Sequence, residues 1–167
     1  MTASADHTVV DRRRIELVEP GVIEAPVEHG MAGLSDAAAA RLLTEVREAV
    51  ARATSSSLDT LAASLAGPIR SVSLRAWPPE FPEEISVLRR APHQARADSV
   101  MYCQVLADCA QERGWEVHLY EAKEVEAQAA RLLGGRSDSV LHGPRALLGP
   151  PWTKDHRMAL AATVLAG

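Results

Sequence analysis

The chain has few aromatic side chains, three Trp, two Tyr and one Phe in 167 residues. Alanine is abundant instead, a composition that favours helices packed closely against a sheet. Cysteine is equally scarce. Cys103 and Cys109 are the only two, and in a helix their spacing sets them about 240° apart around the axis. That excludes a local disulfide or a shared metal ion and leaves free thiols in a reducing compartment. Basic excess is missing as well: 18 Lys and Arg face 22 Asp and Glu, for a net charge of −4. No global field recruits nucleic acid, so such binding would need a local patch. No apolar run approaches bilayer length, and the N-terminus lacks the charged-then-apolar order of a secretory signal. No membrane association and a cytoplasmic location are expected.

Several catalytic signatures are absent too. There is no G-x-x-x-x-G-K-S/T loop, G-x-G-x-x-G turn or G-x-S-x-G elbow. This argues against P-loop enzymes, dinucleotide-dependent dehydrogenases and esterases. The six histidines have no H-x-x-x-H or H-E-x-x-H spacing, so zinc has no signature. Ser99, Cys103 and Cys109 have no neighbouring base, which leaves nucleophilic catalysis unsupported.

The length suits one domain with a real core. Residues 1–8 read as a flexible tail and residues 9–167 as a single α/β domain. "VVDRRRIELVEPGVIEAPVEHG" alternates apolar and polar residues on both sides of Pro20-Gly21, which suggests two strands and a turn. Ser35 is placed to cap a helix, "DAAAARLLTEVREAVARA", which "TSSS" should end before a shorter helical piece. "IRSVSLRAW" reads as a strand and residues 78–93 as a proline-rich connection. A helix over residues 95–113 should stop at Gly114. "WEVHLY" is a strand and "KEVEAQAARLL" a helix, followed by an irregular loop to Pro151. Thr153 should cap a final, mostly buried helix. Strands separated by helices imply a central mixed sheet with parallel members and helices on its faces.

Open α/β sheets place ligands at the carboxyl ends of their strands. Three acids are candidates for such a rim. Glu19 follows "RIELV", Glu121 follows "WEVHLY", and Asp155 opens the final helix. Together they would suit one or two Mg²⁺ or Mn²⁺ ions, hard cations that take oxygen ligands, and two such ions would stabilise the attacking and leaving oxygens of a phosphodiester. Each acid also has a plain reading. Glu19 and Glu121 could be solvated residues after a strand, and Asp155 a first-turn acid favoured by the helix dipole. Arg89, Arg90 and Arg96 form a local basic patch, as does "DRRR" at residues 11–14, and arginine forks suit phosphate oxygens. A solvated face explains the same arginines. His118 alternates with apolar neighbours and reads as an outward or satisfied histidine. Trp152, in "GPPWTKDHR", reads either as a stacking surface in a small-molecule pocket or as a hydrophobic staple.

"LADCAQERGWEVHLYEAKEVEAQAARLL", followed by "KDHRMALAATVLA", resembles the RuvC/YqgF branch of the ribonuclease H-like superfamily, which includes Holliday-junction resolvases. The resemblance covers residues 100–133 and 152–166, and extends weakly to 14–21, where "VEPG" is similar to the ending of that family's first strand. It implies a ribonuclease H-like mixed sheet and a metal-dependent nuclease acting on structured or single-stranded nucleic acid. Glu19, Glu121 and Asp155 would be its catalytic and metal-binding acids, and Arg89, Arg90 and Arg96 would position phosphates. The chain departs from the family at three places. Met158 precedes Ala159 where the last carboxylate is expected, with Asp155 three residues earlier. Glu19 replaces an aspartate. Arg75 stands where the RuvC type has a glutamate, and the middle strand lacks the G-x-P of the YqgF type. These departures imply the alternative, a catalytically inactive ribonuclease H-like module that binds protein or nucleic acid.

Overall fold

The computed structural model describes all residues, 1–167. Its regular elements in chain order are β1 (Thr2–Ala3), β2 (Val9–Asp11), a single π-type helical turn (Pro26–Gly30) and α1 (Asp36–Ser64). These are followed by β3 (Ser71–Arg75), α2 (Ile85–Leu88), α3 (Gln94–Glu112), β4 (Glu116–Tyr120) and α4 (Val125–Leu133). A 3₁₀ turn (Gly134–Arg136), α5 (Ser137–Leu141), α6 (Pro144–Leu148) and α7 (Lys154–Ala166) complete the chain. The protein is thus of mixed α/β class. Its sheets are small: β1 pairs antiparallel with β2, and β3 pairs parallel with β4, two strands in each. No helix is long and apolar enough to cross a membrane.

The chain divides into two compact units, where the sequence suggested one domain. The first unit combines residues 1–14, 70–76 and 115–167, and the second combines residues 15–69 and 77–114. In the first unit, α4 buries Val125, Ala129 and Leu133, one stripe at four-residue spacing. This stripe meets Leu160, Ala161, Ala162 and Val164 of α7, together with Leu141. The small residues let the two helices approach closely, which is where the alanine-rich composition is used. β3 and β4 run in register from Ser71 opposite Glu116 to Arg75 opposite Tyr120. The Ser73 hydroxyl donates to the Ala162 carbonyl of α7 at 3.2 Å and so ties the sheet to that helix. Residues 1–8 are not a loose tail. Met1, Ala3 and Val9 pack against the α4–α7 core, and Thr2–Ala3 pairs with Val9–Asp11 through an irregular, bulged register.

The second unit is built on α1 and α3. Ser35 caps α1 as expected, its Oγ accepting the Ala38 N–H at 3.3 Å. α1 does not break at "TSSS" but runs on to Ser64, with Ser55 and Ser57 held by tertiary partners, while the Thr54 hydroxyl is buried without a hydrogen-bond partner. Thr54 is fully buried along with Leu58. Arg113 donates to Ser55 Oγ at 2.7 Å and to its carbonyl at 2.9 Å, while the Ser57 hydroxyl donates to the Glu16 carbonyl at 2.6 Å. The guanidinium of Arg113 also holds Asp59 Oδ1 at 2.7 Å and the Cys109 carbonyl at 2.8 Å. Gly114 ends α3 with φ of 72°, the left-handed conformation its position requires.

The two strands expected around Pro20-Gly21 do not form. Residues 15–25 carry no regular element, although the turn itself is present, with the Val22 N–H donating to the Glu19 carbonyl at 3.1 Å. Pro26–Gly30 coils because the Asp98 carboxylate accepts the N–H groups of Val27 and Glu28, both at 3.0 Å. Val27 and Met31 then face inward against Ala39, Leu88 and Ala97. A cap from a residue distant in the chain and a buried apolar pair outweigh the period-two pattern.

Two measurements check this packing. Leu160 is fully buried and Leu147 is 86 % exposed. Leu160→Ala should lower unfolding stability by about 2–5 kcal/mol, and Leu147→Ala should stay within about 0.5 kcal/mol. Equal losses in denaturant titrations would contradict the core assignment. No disulfide links the cysteines: Cys103 is half-buried and Cys109 buried. Burial first, and then the charge of Glu112, push the Cys109 thiol above its ordinary range. At about pH 8 a thiol reagent should therefore modify Cys103 alone, with Cys109 reacting only after unfolding. Equal rates for the two thiols would contradict this.

Candidate functional site

The three acids fall at different kinds of position. Glu19 lies in the exposed Glu19–Val22 turn of the second unit. Glu121 and Asp155 belong to the first unit. Glu121 immediately follows β4, as its sequence context suggests. Its carbonyl accepts the N–H groups of Glu124 and Val125, both at 3.0 Å, which turns the strand directly into α4. Its side chain is exposed. Asp155 is an exposed first-turn acid of α7, where the helix dipole alone favours a carboxylate. Thr153 precedes it in a capping box: the Thr153 N–H donates to His156 Nδ1 at 3.2 Å.

Nowhere in the chain are three His, Cys, Asp or Glu side chains grouped so as to hold a metal ion. Mg²⁺ demands a near-octahedral oxygen set. The acids as placed do not provide one, so no chemical step through an ion follows from this geometry.

The arginines divide in the same way. Arg89 belongs to the scaffold: it donates to Asp36 Oδ1 at 2.7 Å and to the Met31 carbonyl at 3.0 Å. Arg90 and Arg96 remain exposed, on either side of a turn closed by the Gln94 N–H donating to the Arg90 carbonyl at 3.0 Å. Within "DRRR", Arg13 pairs with Asp11. His118 Nε2 lies 3.4 Å from Glu116 Oε2, but the nitrogen is buried and makes no hydrogen bond, so it is neither outward nor satisfied as the sequence suggested. Trp152 packs against the α4–α7 core, donates its indole N–H to the Leu141 carbonyl at 3.1 Å and stacks on His156. It is a structural staple.

The most constructed surface feature lies where the sequence suggested an irregular loop. Residues 134–151 fold into a 3₁₀ turn, α5 and α6. Gly143 joins the last two. A Cβ there would stand 2.2 Å from the Ser139 carbonyl oxygen, so only glycine fits. Gly149 ends α6 with φ of 68°, its N–H donating to the Arg145 carbonyl at 3.1 Å. Arg12 reaches across from the other end of the chain. It donates to the carbonyls of Leu148 at 3.3 Å, Gly149 at 3.1 Å and Pro151 at 2.6 Å. The Leu148 carbonyl is one that a helix end leaves without an intrahelical partner, and those of Gly149 and Pro151 belong to the segment that follows the helix. A charged donor thus fixes a short helix too small to hold its own conformation. It fixes Leu147 and Leu148 in an outward position, 86 % and 39 % exposed.

Sequence reasoning passed over this feature, though a signal was present. "PRALLG" has proline at the first helical position and glycine just past the end, the pair that brackets a helix. Comparison with known proteins adds no family: no family model matches the chain, and neither a curated protein nor a solved structure matches it.

Arg12→Ala should remove about 1.5–3 kcal/mol of local stability. The amides of Ala146 and Gly149 should then exchange with solvent tenfold faster or more, while those of α1 and α3 keep their rates. Unchanged exchange at Ala146 and Gly149 would show that the segment holds itself.

Proposed function

We propose that the chain is a non-catalytic interaction module that presents the Arg145–Leu148 edge to a protein, on an α/β frame of ribonuclease H-like type. The observation that carries the reading is the Arg12 clamp. Three hydrogen bonds from one guanidinium order a segment whose most prominent side chain is an almost fully exposed leucine. Burial of a leucine contributes about 1.5–3 kcal/mol that is unused while it faces water. A rigid segment also loses little entropy on docking. The frame is supported by the order β4, Glu121, α4 and by the closing helix α7, the elements that carry the family resemblance. The net charge of −4 favours a protein partner over nucleic acid. Thiols kept out of disulfides suit a cytoplasmic setting.

A photo-reactive residue at position 147 of the full chain, expressed in cells, tests this. Cross-links to a protein should form from 147, weaken in the Arg12→Ala background and be absent from a control position at Glu80. Equal yields from 147 and 80, or insensitivity to Arg12, would overturn the reading.

A second reading, a Mg²⁺- or Mn²⁺-dependent nuclease, has one specific support: Glu121 at the strand-to-helix junction. Arg90 and Arg96, exposed in the second unit, are its candidates for phosphate contacts. Branched and single-stranded DNA and RNA incubated with either ion should remain intact with the wild type and with Glu121→Gln alike. Cleavage by the wild type that Glu121→Gln abolishes would establish the nuclease instead.

A further inference from the structure

The docking edge adjoins a cleft on the same unit. Ala127 and Ala130 of α4 and Leu141 of α5 form its apolar lining, with Glu126, Asp138 and His142 around them, and it is a shallow, open depression of about 320 Å³. Its two acids differ. Glu126 is engaged by Arg157 of α7, Nε to Oε2 at 3.2 Å. The Asp138 carboxylate is exposed, while the backbone carbonyl of the same residue accepts the His142 N–H at 2.9 Å. Arg145, one turn before the end of α6, is exposed as well. One face therefore carries an apolar cleft with an acidic rim, and the next helix carries an apolar knob with a basic flank.

We infer that the partner is a second copy of this chain, its Leu147 entering the Ala127–Ala130–Leu141 cleft and its Arg145 meeting Asp138. This rests on the interaction-module reading and specifies its partner. Charge complementarity selects the occupant. An arginine beside the leucine suits a carboxylate beside the cleft, and Arg binds a carboxylate through a two-pronged fork. Topology selects the symmetry. Knob and cleft lie on consecutive helices, so a two-fold axis can exchange them reciprocally and close the assembly as a dimer. A head-to-tail arrangement would leave a knob unused at one end and a cleft unused at the other. Leu147 is the anchor, because apolar area buried against Ala127, Ala130 and Leu141 contributes more than an exposed charge pair at the rim. The rim pair sets register and excludes wrong partners.

Sedimentation equilibrium of the full chain over a wide concentration series tests this. The wild type should move from the 17.9 kDa monomer to a closed dimer. Leu147→Glu should raise the dissociation constant at least about tenfold, and Asp138→Arg or Arg145→Glu alone should raise it less. The double variant Asp138→Arg/Arg145→Glu should recover dimerisation, a rescue that a folding defect cannot mimic. Circular dichroism of each variant should match the wild type, since all three positions are exposed. A wild type that stays monomeric, a dimer insensitive to Leu147→Glu, or an open ladder of oligomers would overturn the inference. If the wild type is monomeric yet position 147 still cross-links to a different protein, self-association fails and the interaction-module reading stands.

Discussion

The first unit depends on the contact between α4 and α7. Val125, Ala129 and Leu133 meet Leu160, Ala161 and Val164, and apart from Leu133 at 5 % all are sealed from water. Once this seam is closed, much else in the unit follows. The N-terminus of α4 places Glu121 at the end of β4, and the N-terminus of α7 places Asp155 in solvent. β3 docks on α7 through Ser73, and the N-terminal residues find an apolar floor. The cleft itself is partly the outer face of α4, whose inner face forms the seam.

The same constraint shapes the chemistry. A carboxylate at a helix start needs no ligand to account for it, because unsatisfied N–H groups and the helix dipole already favour negative charge there. Asp155 is such a residue. Glu121 differs, since it marks a strand-to-helix junction of the kind α/β enzymes use. Yet one carboxylate cannot hold a divalent ion in place, and no other pair of ligands gathers around it. The arginines repeat the lesson. Arg12, Arg89 and Arg113, suited by type to phosphate, spend their donors on backbone carbonyls and aspartates of the chain itself.

Elements governed by local rules were legible in the sequence. Ser35 and Thr153 start their helices, Gly114 ends α3, and "WEVHLYEAKEVEAQAARLL" reads directly as β4, Glu121 and α4. The parallel pairing of β3 with β4 followed from the intervening helices. What escaped was decided by partners distant in the chain. Ser55 and Ser57 look like a helix break until Arg113 and the Glu16 carbonyl take up their polar groups. Val22–Gly30 alternates like a strand until Asp98 captures two of its N–H groups. α6 looks like loop until Arg12, more than a hundred residues earlier, caps it. A residue's own neighbourhood in sequence carries no trace of such long-range hydrogen bonds. For the candidate site, residue types and the Glu121 junction were readable, whereas the division of the chain into two units was not.

The central proposal is that the protein works by contact rather than by metal chemistry, with the exposed Glu19, Glu121 and Asp155 carrying no resident ion. Titrating isotope-labelled protein with Mn²⁺ and following amide signal broadening tests it most directly, because a bound paramagnetic ion erases signals only near its site. The claim predicts weak, non-saturating broadening scattered over exposed acids. Saturable loss of the signals around residues 19, 121 and 155 together, at one or two ions per chain, would contradict it.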